Sequence, residues 1–205
     1  MKSLFASLLI AVVSLQPLFA QDQGAEPGIT PTATPTPLTP PLPALPKASP
    51  PSATPAAAVE LYSLDYNETL DLFCVPGTPT GYTGRVISTY DNGKQELVGA
   101  LKAGKREGRW LEYAEEEGTL TSAGDYLDGK ETGEWKYWFE NGQLLSVGSY
   151  TDGKPTGRWK TYYENGKPES EGVYVDGEMD GDWKVFDDET NEVRTLKFKN
   201  GEQIP

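Results

Sequence analysis

From Gly84 to Gly201 the chain alternates aromatic or branched residues with polar ones in runs of roughly eight to ten residues, each closed by a glycine-bearing turn. The phrase Gly-x-Trp recurs as Gly108-Arg109-Trp110, Gly133-Glu134-Trp135, Gly157-Arg158-Trp159 and Gly181-Asp182-Trp183, with the tryptophans 25, 24 and 24 residues apart. A fixed period of this size marks a repeat architecture. Each period holds two strands and two turns. The pattern therefore predicts an all-β fold: an antiparallel β-meander of ~24-residue hairpin repeats with about ten strands.

All 18 glycines from residue 84 onward fall into four columns. Gly93, Gly118, Gly142 and Gly166 close one set of turns, and Gly104, Gly129, Gly153, Gly177 and Gly201 close the other. Most of these carry Asn-Gly or Asp-Gly, which supplies the positive φ of tight hairpins. The remaining columns, Gly99/Gly124/Gly148/Gly172 and Gly84/Gly108/Gly133/Gly157/Gly181, fall inside strands, where glycine needs a reason. Register supplies one. If Asn141-Gly142 is a two-residue turn, Trp135 faces Gly148. One row across the sheet then runs Val86, Gly99, Trp110, Gly124, Trp135, Gly148, Trp159, Gly172, Trp183, Leu196. A second runs Gly84, Leu101, Gly108, Tyr126, Gly133, Tyr150, Gly157, Tyr174, Gly181, Phe198. Rings alternate with bare backbone in both, so each ring is expected to cover neighbouring glycines. The extra residue of the second repeat is expected in a three-residue loop, Glu116-Glu117-Gly118.

The opposite face reads as mixed. Tyr113, Trp138, Tyr162 and Phe186 form a column on it, each three residues after a repeat tryptophan. Val98, Leu145, Val147, Val173 and Val175 fall beside them, interspersed with Lys136, Lys160, Lys184 and Glu171.

Ahead of the repeats the organisation changes. Met1-Lys2, the apolar run Leu4 to Val13 and Ala20 read as a secretory signal peptide over 1–20, with an uncleaved membrane anchor as the alternative. Residues 21–58 are rich in Pro, Thr and Ala, and 11 prolines lie between Pro27 and Pro55. Such a stretch buries little and is expected to be a disordered linker, extended and semi-rigid. Residues 59–83 read as a connector and N-terminal cap, in which Leu61, Tyr62, Leu64, Tyr66, Leu70, Leu72 and Phe73 can pack on the first repeat. Residues 84–205 form the repeat domain. The lone Cys74 is expected to be buried.

Charge narrows the partners. The chain has 18 basic and 31 acidic residues, and the whole net charge of −13 falls on residues 59–205. Nucleic acid requires a basic stripe and strong anionic-membrane binding requires basic clusters, so both are disfavoured. With no histidine and one cysteine, the chain lacks the commonest general base, the commonest metal ligand and any Cys-cluster zinc site. No cofactor is implied, no carboxylate pair stands out and no G-x-S-x-G motif occurs, so a non-enzyme is expected. The acidic stretch from Asp176 to Glu189 lacks the spacing of a calcium loop and reads as solvated charge; no metal site is assigned.

Tyr163-Glu164-Asn165-Gly166-Lys167, Tyr174-Val175-Asp176-Gly177 and Gly157-Arg158-Trp159-Lys160 closely resemble the bacterial variant of the MORN repeat. The resemblance covers 84–201. It implies an extended twisted β-hairpin array serving as an interaction module, and some bacterial members carry an antitoxin-like label. Val86 departs from the pattern where the first tryptophan would stand, as does Glu189-Thr190-Asn191 at the last turn.

The glycines facing Trp110, Trp135, Trp159 and Trp183 favour a structural role for these rings over a sugar-stacking one. The stripe of Tyr113, Trp138, Tyr162 and Phe186 lacks a glycine column and is the better candidate for a contact surface, with packing against the connector or a second molecule as the alternative. The reading is a non-catalytic, exported protein-interaction module with an acidic surface and a protein partner in or outside the cell envelope. The alternative is a carbohydrate-binding module for an envelope glycan. An antitoxin or immunity-type protein comes third.

Overall fold

A computed structural model describes residues 57–205, so the expected signal peptide and nearly all of the expected linker lie outside the described residues. Fifteen strands follow. They are β1 Val59–Glu60, β2 Asp65–Asn67, β3 Leu72–Cys74, β4 Gly84–Thr89, β5 Gln95–Lys102, β6 Lys105–Arg106, β7 Gly108–Tyr113 and β8 Leu120–Leu127. The rest are β9 Lys130–Trp138, β10 Leu144–Thr151, β11 Lys154–Tyr162, β12 Pro168–Val175, β13 Glu178–Phe186, β14 Val193–Lys199 and β15 Glu202–Ile204. Thirteen strands make one open sheet that runs in chain order, and β2 pairs with β3 in a separate hairpin. The ten expected repeat strands are β4, β5 and β7–β14. Strand β1 joins in parallel beside β4 (Val59 opposite Val86), and β15 adds an antiparallel edge beside β14.

The tryptophan row has the predicted register. Val86 pairs with Gly99, Trp110 with Gly124, Trp135 with Gly148, Trp159 with Gly172 and Trp183 with Leu196. The turn that sets it is different. Phe139 N–H donates to Gln143 O and Gly142 N–H to Phe139 O, both 2.9 Å, so the loop is Glu140-Asn141-Gly142. Three residues alone would slip the register by one. A bulge between Leu144 and Ser146 takes up that residue and restores the pairing. The second repeat closes Ala114 to Thr119 over four residues rather than the expected three, and the strands beyond still bring Trp110 opposite Gly124.

The second predicted row holds only within alternate hairpins, as in Gly157 opposite Tyr174. At the tight turns Tyr150 faces Pro155, not Gly157, and Tyr126 faces Glu131, not Gly133. Likewise Tyr174 faces Met179, and Leu101 faces Arg106. The cause is a wide bulge. Val147 pairs with Lys160 while Ser149 pairs with Thr156, so strand β11 carries two extra residues there. Gly157 sits in that excess at φ 65°, with nothing within 4 Å of where a Cβ would point. Gly108, Gly133, Gly157 and Gly181, at φ 65–78°, are glycine because the bulge needs a left-handed backbone, and the expectation that a ring covers them is corrected; at Gly84 a Cβ would instead meet the Tyr82 ring.

The other column is glycine because of contact. A Cβ on Gly99, Gly124, Gly148 or Gly172 would lie within about 2.3 Å of Cδ2 of Trp110, Trp135, Trp159 or Trp183. Each indole lies flat on the backbone and donates Nε1–H, at 3.2 Å, to the carbonyl just after that glycine (Ala100, Asp125, Ser149, Val173). The rings then meet the tyrosines edge-on. Trp110, Tyr126, Trp135, Tyr150, Trp159, Tyr174, Trp183 and Phe198 form one chain with centroids 5.1–6.4 Å apart and planes at 74–90°. The four tryptophans are 1–4% exposed. The core is therefore a line of rings on one face of the sheet.

Within residues 59–83 fewer side chains are buried than the composition suggests. Leu61, Phe73 and Cys74 are buried, whereas Tyr62, Tyr66 and Leu70 are exposed. The β2–β3 hairpin grips the first tight turn by backbone bonds: Phe73 N–H donates to Gly104 O at 2.9 Å, and Gly104 N–H donates to Tyr82 O at 2.8 Å.

Candidate functional site

Strand alternation sets the candidate contact residues apart from the core. Lys136 and Trp138 point away from the face of Trp135 and Tyr137, and β7, β11 and β13 repeat the arrangement. Tyr113, Trp138, Tyr162 and Phe186 thus form one row on alternate strands, next to the longer loops. Each is half-buried. The residue opposite each is apolar: Leu120, Leu144, Pro168 and Val193.

These rings differ from the core rings in what they lack. Among the described residues none of the four meets another aromatic ring, whereas the core rings run in an unbroken chain. Four tryptophans donate their indole N–H to a backbone carbonyl; the Trp138 N–H meets no acceptor among the described residues. The hydroxyls of Tyr113 and Tyr162 are also without a partner there, although Tyr90 and Tyr163 donate to the carbonyls of Tyr113 and Phe186 at 2.7 Å. Burial pushes the Tyr113 phenol above its ordinary pKa, so it is a neutral donor at physiological pH. The row offers three donors and four half-buried rings.

Beside this row the sheet carries a charge ladder. Glu171 lies between Lys160 (3.6 Å) and Lys184 (3.2 Å), and the Lys184 hydrogen bond holds its carboxyl below the usual range. Val173 and Val175 are exposed. The longer loops form an acidic rim. Asp91, Glu115–Glu117, Glu140, Glu164 and Asp187–Glu189 supply nine carboxylates against Lys94 and Lys167. The loops are stitched together: Asn141 Nδ2 donates to Glu164 O at 3.3 Å, Asn165 Nδ2 to Asp188 Oδ2 at 2.9 Å, and Lys167 to Asp188 O. Asp187 is a turn former. Its Oδ1 accepts Glu189 N–H (3.0 Å) and Thr190 N–H (2.7 Å), and these backbone bonds hold its pKa low. Among the described residues no group of three or more His, Cys, Asp or Glu side chains is placed to hold a metal ion.

One feature escaped sequence reading. Ser88, Ser122, Ser146 and Ser170 are buried on the core face, the last three each two residues before a covered glycine. Ser88 Oγ reaches Glu96 at 2.6 Å, Ser122 reaches Glu112 at 2.9 Å and Ser170 meets Thr161 Oγ1 at 2.8 Å. Ser146 Oγ has no partner among the described residues. The period-24 recurrence of serine was the available signal.

Residues 131–152 and 155–176 each match the family described as MORN repeat variant. No curated protein matches the chain. Among solved structures it is similar to the "Glycosylation Associate Protein (Gap123) complex from Streptococcus agalactiae", at 15% identity over 62% of this chain and 22% of that one, with a TM-score of 0.30. A second is a "GtfA/B complex bound to UDP and GlcNAc", at 16% identity over 60% of this chain and 25% of that one, with a TM-score of 0.21. The chain thus spans about a quarter or less of the length of these structures.

Proposed function

We propose that this chain, two of whose repeats match the MORN repeat variant, is a non-catalytic, exported interaction module that grips a protein partner across Tyr113, Trp138, Tyr162 and Phe186. Repeats of this family typically mediate protein interactions. The observation that carries the reading is the contrast between the two faces. The core tryptophans have their indoles bonded and their rings covered, whereas the outer row keeps three donors unpaired beside half-buried rings. Half-buried aromatics with a charged rim match the make-up of protein contact surfaces. The basic start and apolar run of residues 1–20 support export, and the acidic surface disfavours phosphate backbones as ligands.

The test is a photo-crosslinking amino acid at position 138 in the full chain, expressed in its own cells. The expected product is a discrete adduct with one cell-envelope protein, lost when the crosslinker is moved to position 152, exposed in a tight turn at the far end of the strands from the row. Adducts equally abundant at both positions sink the assignment of the face. N-terminal sequencing of the mature protein tests export; recovery of an intact N-terminus from the cytoplasm overturns it and favours the antitoxin-type reading.

A further inference from the structure

The outer row has a period that selects a kind of partner. Its rings stand on β7, β9, β11 and β13, so consecutive rings are two strands apart. Neighbouring strands lie ~4.8 Å apart, which puts the rings about 9.5 Å from one another along the row. A polyproline II helix has three residues per turn at ~3.1 Å each, or about 9.3 Å per turn. A chain with proline at every third residue therefore presents one pyrrolidine ring per aromatic. An extended strand, at ~6.6 Å per two residues, and an α-helix, at ~5.4 Å per turn, both drift out of step within two rings.

Hydrogen bonding points the same way. A polyproline II segment makes no internal hydrogen bonds and carries bare carbonyls along its length. The row offers donors only: Tyr113 hydroxyl, Trp138 indole N–H and Tyr162 hydroxyl, each without an acceptor among the described residues. Donors set between aromatic faces are what proline-rich ligands use in grooves of this kind. The acidic loops at the end of the row favour a base next to the proline run.

We infer that this face binds a proline-rich segment of another chain in the polyproline II conformation, with proline at every third residue and a flanking base. The inference rests on the outer row being the contact face and adds the chemistry of what it contacts. The required spacing occurs in this sequence as Pro37, Pro40, Pro43 and Pro46 followed by Lys47, so a peptide of residues 37–47 is a ready probe.

The test titrates that synthetic peptide into the 15N-labelled full chain carrying Pro40→Ala and Pro43→Ala, so that its own run cannot compete. The five indole N–H resonances are followed by NMR. The expected result is a saturable shift of the Trp138 indole with the other four unmoved, and, read from the backbone amide resonances of β9, binding at least roughly tenfold weaker to a Trp138→Ala chain. Trp138→Phe keeps a ring but no donor, and should weaken binding about three- to tenfold, the worth of one hydrogen bond. A peptide with Pro40→Ala and Pro43→Ala should not shift the resonance. Equal shifts from that control, movement of the core indoles instead, or no shift at about 1 mM peptide overturns the inference. If the position-138 crosslink still captures an envelope protein in those cases, the contact face stands and only the polyproline chemistry fails.

Discussion

Replacing Gly148 by valine should be among the most damaging single changes in the repeat domain. A Cβ at this position would sit 2.1 Å from Cδ2 and Cε2 of Trp159, far inside contact distance, and valine adds two methyls beyond it. The obstacle is a buried ring, so relief requires Trp159 to leave its place. It would then lose its edge contacts with Tyr150 (5.2 Å) and Tyr174 (5.8 Å) and the bond from Nε1 to Ser149 O. Ring contacts are worth ~0.5–1.5 kcal/mol each and the hydrogen bond ~1 kcal/mol, so the loss comes to about 2–4 kcal/mol with exposed indole area still to add. Val147→Thr, one residue away on the half-buried outer face, exchanges a methyl for a hydroxyl at a cost of about 1 kcal/mol. With a urea slope of ~2 kcal/mol per molar, the midpoints should fall by about 1–2 M and about 0.5 M respectively. Tryptophan fluorescence and far-UV circular dichroism provide the assay. Since the core is a single line, Gly148→Val should also cut it, so that the two probes cease to coincide. Equal midpoints for the two variants would refute the packing of Trp159 over Gly148.

The second glycine column should fail differently: Gly157→Asn, which tolerates a left-handed backbone, should lower the urea midpoint clearly less than Gly157→Val, whereas Gly148→Asn should be as harmful as Gly148→Val. Burial pushes the phenols of Tyr126 and Tyr150 up to about 12 and raises Tyr137 as well. Their unfolded counterparts ionise near pH 10, so this stability is complete below pH 10 and is lost as pH rises towards 12; a urea midpoint unchanged between pH 9 and pH 11.5 would contradict it. Ser146→Ala removes a buried hydroxyl with no partner among the described residues and should hold or raise the thermal midpoint, whereas Ser170→Ala strands the Thr161 hydroxyl and should lower it.

Sequence and structure diverge where turns and bulges decide. The tryptophan row was legible because side chains alternate with period two and the repeat multiplies the signal. Two offsetting irregularities stayed invisible: a loop one residue longer than the two-residue turn, and a bulge at Leu144–Ser146 that absorbs it. Their sum equals the simpler turn, so pairing at Trp135 and Gly148 comes out the same. No such cancellation occurs at the tight turns, and the second row was therefore misread. Asp152-Gly153, at φ 52° and 78°, announces the hairpin. Nothing in Gly157-Arg158-Trp159 announces that its glycine serves a bulge. The outer row was visible as a column of aromatics, but its unpaired donors were not, because hydrogen-bond satisfaction belongs to the folded arrangement.

Those bulges also explain how a sheet with no second layer over it, among the described residues, buries tryptophan at 1–4% exposure. Each bulge frees the strand to lay an indole flat on the preceding glycine. The next tyrosine then closes over the edge of that indole. Burial is thus achieved within one face by residues no more than a strand or two apart, and the opposite face contributes little to it. A truncation there should be tolerated: Trp138→Ala removes a half-buried ring that touches no other ring among the described residues, and its cost should be about 1–2 kcal/mol against the roughly 2–4 kcal/mol, plus newly exposed indole area, for displacing Trp159. Urea midpoints of the two variants measure the difference. If Trp138→Ala proves as costly as Gly148→Val, the outer row is a second core, and the separation of holding face from gripping face fails with it.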